Sequence, residues 1–291
     1  MDLSTHYPHL DRFSKDVNIL PASLIEAFEV EKAFHLKVLN ENDPTVRRKL
    51  YRDVYKKVHS IYNKGAAQTE AIGVKDKIIG VFRKELYGKS ILDVGCGTGE
   101  FLTRLAVCFP TGQLVGIDIS TDIIPRSHEK VKFINSDIVE FELEEKFDIV
   151  FSDNVMEHIA PADTRSHLES IKKVLKKDGK IIIIMPNRLF GPSDVTRIID
   201  YTYSNKIEAM GTHLNESTYG EMISVLHSLG FRKFHTILPL PKLKFIFPNV
   251  RINASFIAGI ERNAGVMKFL YSVRYKSKCA IRLDIILVCS E

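Results

Sequence analysis

Between residues 43 and 61 the apolar positions keep a helical step. Val46, Leu50, Val54, Val58 and Ile61 recur at three- and four-residue intervals, with Lys, Arg and Asp between them, which predicts one apolar face of a helix. Asp43-Pro44 supplies a start, with Asp as N-cap and Pro as first helical residue. The chain reads as helical up to about residue 87. From Ser90 the texture changes. The β-branched runs "SILDV", "QLVGIDI", "VKFI", "FDIVF" and "KIIIIM" alternate with amphipathic segments: "GEFLTRLAVCF", a shorter one after Ser120, and "PADTRSHLESIKKVLKKDG". That alternation predicts βαβ units, hence an α/β fold with a mostly parallel sheet and helices on both faces. "KIIIIM" is apolar throughout, as suits a strand covered on both sides, and the helix before it is expected to stop at Asp178-Gly179. Further on, Thr218 and Glu221 form a capping-box pair ahead of a helix expected to end at Gly230. "FRKFHTIL" and "IRLDIILVCS" read as two late strands.

Residues 239–278, between those strands, break the pattern. They hold three prolines, eight Lys or Arg and a single acid, Glu261, and read as a basic insert before the last strand. Phe245, Ile246, Phe247 and Phe256 are mixed with the basic residues. One account is a solvated face with these aromatics as the insert's own core. The other is a lid that contacts an anionic acceptor or a peripheral membrane surface. The resulting division is an N-terminal helical extension, 1–87, and a larger domain, 88–291.

Charge changes this picture little. The chain of 291 residues has 41 basic and 36 acidic side chains, a balance that does not indicate nucleic acid. Its four cysteines, Cys96, Cys108, Cys279 and Cys289, form no Cys-x-x-Cys pair, which argues against a metal knuckle or a disulfide framework, and no metal is expected. The N-terminal "MDLSTHYPHLDRF" lacks an apolar signal core, and no apolar run approaches the ~18 residues of a membrane span. A reduced, cytoplasmic protein is expected.

The chemistry concentrates in "ILDVGCGTGEF". A glycine-rich turn between a strand and a helix lets backbone approach a ligand, at a helix N-terminus with free N–H groups. A phosphate loop would need Gly-Lys-Ser/Thr at its end, but Glu100 follows Gly99. A dinucleotide fingerprint has glycines at its first, third and sixth positions, whereas these stand at 95, 97 and 99. Asp93, two residues before the first glycine, suits a ligand that carries an ammonium group. Asp118 closes the next strand, 23 residues after Gly95, where an acid accepts hydrogen bonds from both ribose hydroxyls. An amino-acid head near Asp93 and a ribose at Asp118 describe S-adenosylmethionine.

With "VGIDIS", "FINSDIVEF", "FDIVFSDNVMEHI", "VLKKDGKIIIIMPN" and "HLNESTYGEMISVLHSLGF" following in order, the chain resembles the class I S-adenosylmethionine-dependent methyltransferases, in particular the type 11 subgroup, over roughly residues 88–238 and the last strand. The resemblance implies a Rossmann-like seven-stranded sheet with the last strand antiparallel, and a cofactor across the C-terminal ends of the first strands. It places Gly95, Cys96, Gly97 and Gly99 along the methionine and adenosine, and Asp93 toward the methionine ammonium. Asp118, with Ile119, takes the ribose. Asp137, with Ile138, lies at the adenine edge. Ser152, Asp153 and Asn154 border the methionine and the methyl group.

Plainer readings stand beside these. Cys96 is a small side chain between glycines, Asp118 can cap the following segment, and Asp137 sits in good turn chemistry. His158 and His213 are the candidate catalytic bases, or else packing residues. Tyr62 closes over the cofactor from the N-terminal segment, or belongs to the apolar face of its helix. No Asn-Pro-Pro-Tyr/Phe follows the fourth strand and no nucleic-acid module is present, so a small-molecule acceptor is expected and nucleic acid is not. Asn187 and the Gly191-Pro192 turn are expected to shape the acceptor cleft. A catalytically silent relative that binds the cofactor and acts through a partner is the alternative.

Overall fold

A computed structural model of the chain describes residues 6–65, 73–120, 129–203, 206–238, 243–276 and 284–291. Cys279 and the short segment expected after Ser120 lie outside them. The N-terminal helices are α1 (Leu10–Val17), α2 (Pro21–Leu39), α3 (Pro44–Gly65), α4 (Val74–Val81) and α5 (Arg83–Leu86). Then follow β1 (Ile91–Val94), α6 (Glu100–Cys108), β2 (Leu114–Asp118), β3 (Lys132–Asn135), β4 (Phe147–Asp153), α7 (Thr164–Val174) and β5 (Leu175–Met185). The C-terminal part comprises α8 (Tyr219–Ser228), β6 (Lys233–Ile237), α9 (Leu243–Ile246), β7 (Arg251–Asn253), α10 (Ala254–Glu261), α11 (Ala264–Lys276) and β8 (Ile285–Ser290).

The sheet runs β3-β2-β1-β4-β5-β8-β6-β7. β1 to β5 pair in parallel, and β8 lies antiparallel between β5 and β6. The order reverses beside β1, so the crevice at the C-terminal ends of β1 and β4 is the topological switch point. The eighth strand corrects the expected seven. It is β7, three residues of the insert paired with β6, too short to leave a period in the sequence.

Strand geometry sends successive side chains to opposite faces. Leu92 and Val94 join Ile181 and Ile183 on one face, under Leu168 and Ile171 of α7 and Met222 and Leu226 of α8. Ile91, Ile149 and Ile182 point to the other, against Phe101, Leu102 and Leu105 of α6. β5 is thus buried on both sides, as its unbroken isoleucines imply. The helix before it ends at Val174 rather than at Asp178-Gly179: Leu175 is already extended, and Asp178, at φ +62°, lies in an irregularity of the β4–β5 pairing. The capping box at Thr218 and Glu221 forms as predicted.

Asp43 caps α3, its carboxylate accepting from the Thr45 N–H at 2.8 Å. Val54, Val58 and Ile61 are buried on the helix, whereas Val46 is exposed. Tyr51, Val54 and Val58 pack with Phe34 and Val38 of α2 against Ile119, Val139, Val155 and Ile159, residues beyond the C-terminal ends of β2, β3 and β4, and against Leu214, in the segment after β5. The N-terminal extension therefore roofs the switch-point crevice. In the insert, Ala254, Ile257 and Ala258 enter the main core. Phe245, Ile246, Phe247 and Phe256 are exposed instead of forming a core of their own. Among the described residues no helix is long and apolar enough to cross a membrane.

Candidate functional site

The turn after β1 is held from β2. Gly95 N and Cys96 N both donate to the Ile117 carbonyl, at 2.8 and 3.0 Å. Gly95 has φ +75°, and a Cβ there would lie 2.4 Å from Val155 Cγ2, so the position excludes any side chain. Gly97, at φ +53°, would meet nothing within 4 Å. Its open side borders a cavity, where a ligand can approach the backbone. Asp118 ties the turn to β2: Gly97 N donates to Oδ2 and Ser120 N to Oδ1, each at 2.9 Å. Asp118 thus caps the chain that follows and lines the crevice as well. Gly99 begins α6 in the left-handed region.

Three cavities meet here. One of about 320 Å³ is lined by Gly95, Asp118, Ile119, Asp137, Ile138, Asn154 and His158, and on the α3 side by Tyr51, Tyr55, His59 and Tyr62. A second, of about 190 Å³, is lined by Asp93, Gly95, Cys96, Gly97, Lys75 and Asp153. A third, of about 520 Å³, has Lys75, Asp153, Asn154, Glu157, His158, Arg197, His213, Lys244 and Phe245 on its walls. Gly95 joins the first to the second, Lys75 and Asp153 the second to the third, and Asn154 and His158 the first to the third. Asn154 stands at that junction with φ +56°, a left-handed conformation that asparagine tolerates better than most residues. Its side chain donates to Asp153 Oδ1 at 2.8 Å.

Electrostatics divide the same cavities. Burial pushes the Asp93 carboxyl up to about 8 against the opposing pull of Lys75, so this acid gains most when a cation is placed beside it. Lys75 Nζ pairs with Asp153 Oδ2 at 2.9 Å. Nothing in the sequence around Lys75 signals this position. Asp137 Oδ1 accepts from Val139 N at 2.8 Å, and Oδ2 pairs with Arg48 of α3 at 2.8 Å. Tyr62 donates to Glu31 Oε1 at 2.6 Å, which turns its ring along the first cavity. The Tyr55 hydroxyl beside it is buried without a hydrogen-bond partner. Tyr62 was legible as part of an apolar helix face; Tyr51 and Tyr55 were not singled out, and only the packing shows that all three face a cavity.

Not every expected residue comes to the crevice. Ser152 is fully buried within β4 and borders none of the three cavities, because the strand alternation turns it away from the side on which Asp153 opens. Asn187 does not line the acceptor-sized cavity either. It caps the turn through Leu189 N at 3.1 Å and donates to Glu261 Oε1 at 2.6 Å, so it ties β5 to the insert. Gly191 and Pro192 do not line the acceptor-sized cavity but border another of about 160 Å³, which shares His213 with it. Burial pushes the Cys96 thiol far up, in keeping with a packing role.

The two histidines stand edge to face, ring centroids 4.7 Å apart. Burial, with His213 adding to it, presses His158 down to about 3. Burial would lower His213 too, but the hydrogen bond to Glu216 and the charges of Asp194 and Glu157 outweigh it and hold it at about 9. Neither is matched to proton abstraction near neutral pH, since one is a weak base and the other already carries its proton. Glu157, beside them, was not marked by the sequence reading. It is wholly buried, and burial pushes its carboxyl up to about 8.

The geometry agrees with comparisons to known proteins. A methyltransferase-domain family model matches residues 86–223. The chain is 32% identical over 142 residues to a ubiquinone biosynthesis O-methyltransferase of Glaesserella parasuis, covering 44% of this chain and 58% of that one. It is 26% identical over 110 residues to a trans-aconitate 2-methyltransferase of Rhodopseudomonas palustris, covering 37% and 42%. With a carboxy-S-adenosyl-L-methionine synthase of Nautilia profundicola it shares 30% identity over 167 residues, covering 50% and 71%. The chain spans about half the length of the first two of these relatives. Since the matched segment carries the glycine turn, Asp93 and Asp118 that gather at the switch point, the chain belongs to the class I S-adenosylmethionine-dependent methyltransferases, and S-adenosylmethionine is its cofactor.

Proposed function

We propose that this protein transfers a methyl group from S-adenosylmethionine to an oxygen or nitrogen atom of a small molecule. When bound, the cofactor supplies a methyl group on a positively charged sulfur and leaves as S-adenosylhomocysteine. The observation that carries the reading is the meeting of the cavities. The adenosine-sized space under α3 and the methionine-sized space over the glycine turn both adjoin the cavity of about 520 Å³, with Asp153, Asn154 and His158 in the shared walls.

In this assignment Asp118 accepts from the ribose hydroxyls, Asp137 and Ile138 border the adenine, and Asp93 and Lys75 address the amino-acid head. Asp153 and Asn154 flank the methyl group. Orientation of two reactants at this junction can account for ~7–11 kcal/mol of the barrier, more than a general base contributes. The reading therefore needs neither histidine as a base. The small-molecule class is supported by the relatives named for ubiquinone biosynthesis and trans-aconitate. Lys244 and Phe245 bring the insert to the acceptor cavity, with Ile246 and Phe247 exposed beside them, which supports an acceptor having an acidic group or an apolar tail.

The test is incubation of the purified chain with methyl-labelled cofactor and a panel of phenols, carboxylic acids and amines. Label in an acceptor, with S-adenosylhomocysteine formed in equal amount, is the expected result. Cofactor binding in calorimetry without transfer to any member of the panel would instead favour a silent relative that acts through a partner.

A further inference from the structure

Glu157 presents a problem that the methyl-transfer reading does not solve. Its carboxylate is completely buried, and neither oxygen has a hydrogen-bond partner. Such a group costs free energy unless something cationic answers it. It lines the acceptor cavity together with His158 and His213, and one ligand atom from each of the three can be chosen so that all lie within 4.8 Å of one another.

The histidines are held as ligands are held. His158 Nδ1 lies 3.2 Å from the Thr212 carbonyl, and His213 Nδ1 lies 2.6 Å from Glu216 Oε1. Both neighbours are acceptors, so each Nδ1 is a donor and each Nε2 is the atom left for a metal, which displaces the second proton of His213 on binding. This is how metal-binding imidazoles are oriented by a carbonyl or carboxylate behind them. The backbone is fixed too: Leu214 N and Asn215 N donate to the Glu157 carbonyl at 2.7 and 3.0 Å, which locks the turn after β4 to the segment that carries His213. We propose that Glu157, His158 and His213 bind one divalent transition-metal ion at the wall of the acceptor cavity.

Two imidazoles and one carboxylate suit zinc, manganese, iron or cobalt, and three protein ligands leave coordination positions open. His158 borders the cofactor cavity as well, so the site lies where the acceptor and cofactor cavities adjoin. Under the proposed function, on which this part rests, an acceptor hydroxyl bound there gives up its proton more readily. The proton passes to water. The oxygen's electron pair forms the bond to the methyl carbon, and the carbon–sulfur pair returns to sulfur. The site thus supplies the activation that neither histidine offers as a base. It escaped the sequence because His213 is far along the chain from "MEH", and Glu157 and His158, adjacent residues, converge only through a single 3₁₀ turn, Met156–His158.

The experiment uses the full chain stripped with a chelator, then dialysed against Co²⁺, Mn²⁺, Zn²⁺ or Mg²⁺, with elemental analysis, Co²⁺ absorption spectra and thermal unfolding. We expect one transition ion per chain, a Co²⁺ spectrum of mixed nitrogen and oxygen ligation, and a metal-dependent rise in Tm. Glu157→Gln keeps the shape and cannot ionise to ligate a cation, so its metal-free Tm should not fall, while its metal affinity should drop at least tenfold. Glu216→Gln should weaken binding by about 10–100-fold through loss of the group behind His213. Cys108→Ser, at an exposed thiol, should change nothing. Sub-stoichiometric binding, binding of Mg²⁺ alone, or equal affinity in Glu157→Gln overturns the site. Calorimetry with S-adenosylmethionine on the metal-free protein is run in parallel, so that failure to hold the metal and failure to hold the cofactor are read separately.

Discussion

Asp118 serves two backbone groups at once, one carboxylate oxygen on Gly97 N and the other on Ser120 N. Desolvation raises it, and those bonds, with one from Ile119, oppose the rise. A ribose diol approaching the same carboxylate adds charge-assisted bonds that an alanine cannot make. Asp118→Ala should therefore weaken S-adenosylmethionine binding at least tenfold in calorimetry; an unchanged affinity refutes the ribose assignment. Gly95 gives a harsher test. Its φ of +75° and the 2.4 Å approach to Val155 Cγ2 mean that Gly95→Ala should abolish measurable cofactor binding and lower Tm, since both the conformation and the space are refused. Gly95 and Asp93 were legible because one short local motif dictates them, and Asp118 because it closes the next strand at the expected spacing. Lys75, Tyr55 and Glu157 were not, because their roles arise from packing between segments distant in the chain. Ser152 and Asp153 were read together, and only the strand's two-residue period separates them.

At the scale of elements, the decisive one is α3, because it roofs the adenosine-sized cavity. Arg47 fixes it to the sheet domain. Its Nε donates to Asp163 Oδ2 at 2.9 Å, its Nη2 pairs with Oδ1, and Tyr51 adds a bond to the same carboxylate at 2.9 Å. Tyr51 also accepts from Ala160 N at 2.9 Å. Both charged side chains are buried, so removing one strands the other. Arg47→Met should cost about 3–5 kcal/mol in denaturant unfolding, and S-adenosylmethionine affinity should fall with it. A stability loss with unchanged affinity would show that α3 is no part of the cofactor site. The helix itself was legible from its period and its Asp-Pro start; the surface it covers was not, since a period names a face without naming its partner. The same limit explains the insert. Its basic composition was plain, but the three residues of β7 carry no pattern, and the core role of Ala254, Ile257 and Ala258 follows from α10 packing on α8.

Across the whole molecule, Glu31 links the N-terminal helices to the Thr212 segment. It lies on α2, buried, and accepts from Tyr62 at 2.6 Å and from Thr212 N at 2.9 Å. Burial, then the charge of Asp194, push its carboxyl from 4.5 up to about 7, against the lowering effect of those hydrogen bonds. The direction matters. An acid whose folded pKa is raised holds its proton in the folded state while the unfolded chain has released it. Between pH 4.5 and about 7 the folded state thus binds more protons, and stability falls as pH rises. The shift corresponds to a loss on the order of 3 kcal/mol once pH exceeds 7. Denaturant unfolding of the cofactor-free protein should show decreasing stability from about pH 5 to pH 8. Glu31→Gln carries no titrating group but has a single acceptor oxygen, so it loses the bond to Tyr62 or those to Thr212; its stability is lower throughout, while its pH profile should be flatter by that amount. A wild-type profile that rises through this window, or one that the substitution leaves unaltered, would mean that Glu31 is ionised at little cost in the fold, and that the joint between α2 and the Thr212 segment is held by charge instead of by a proton.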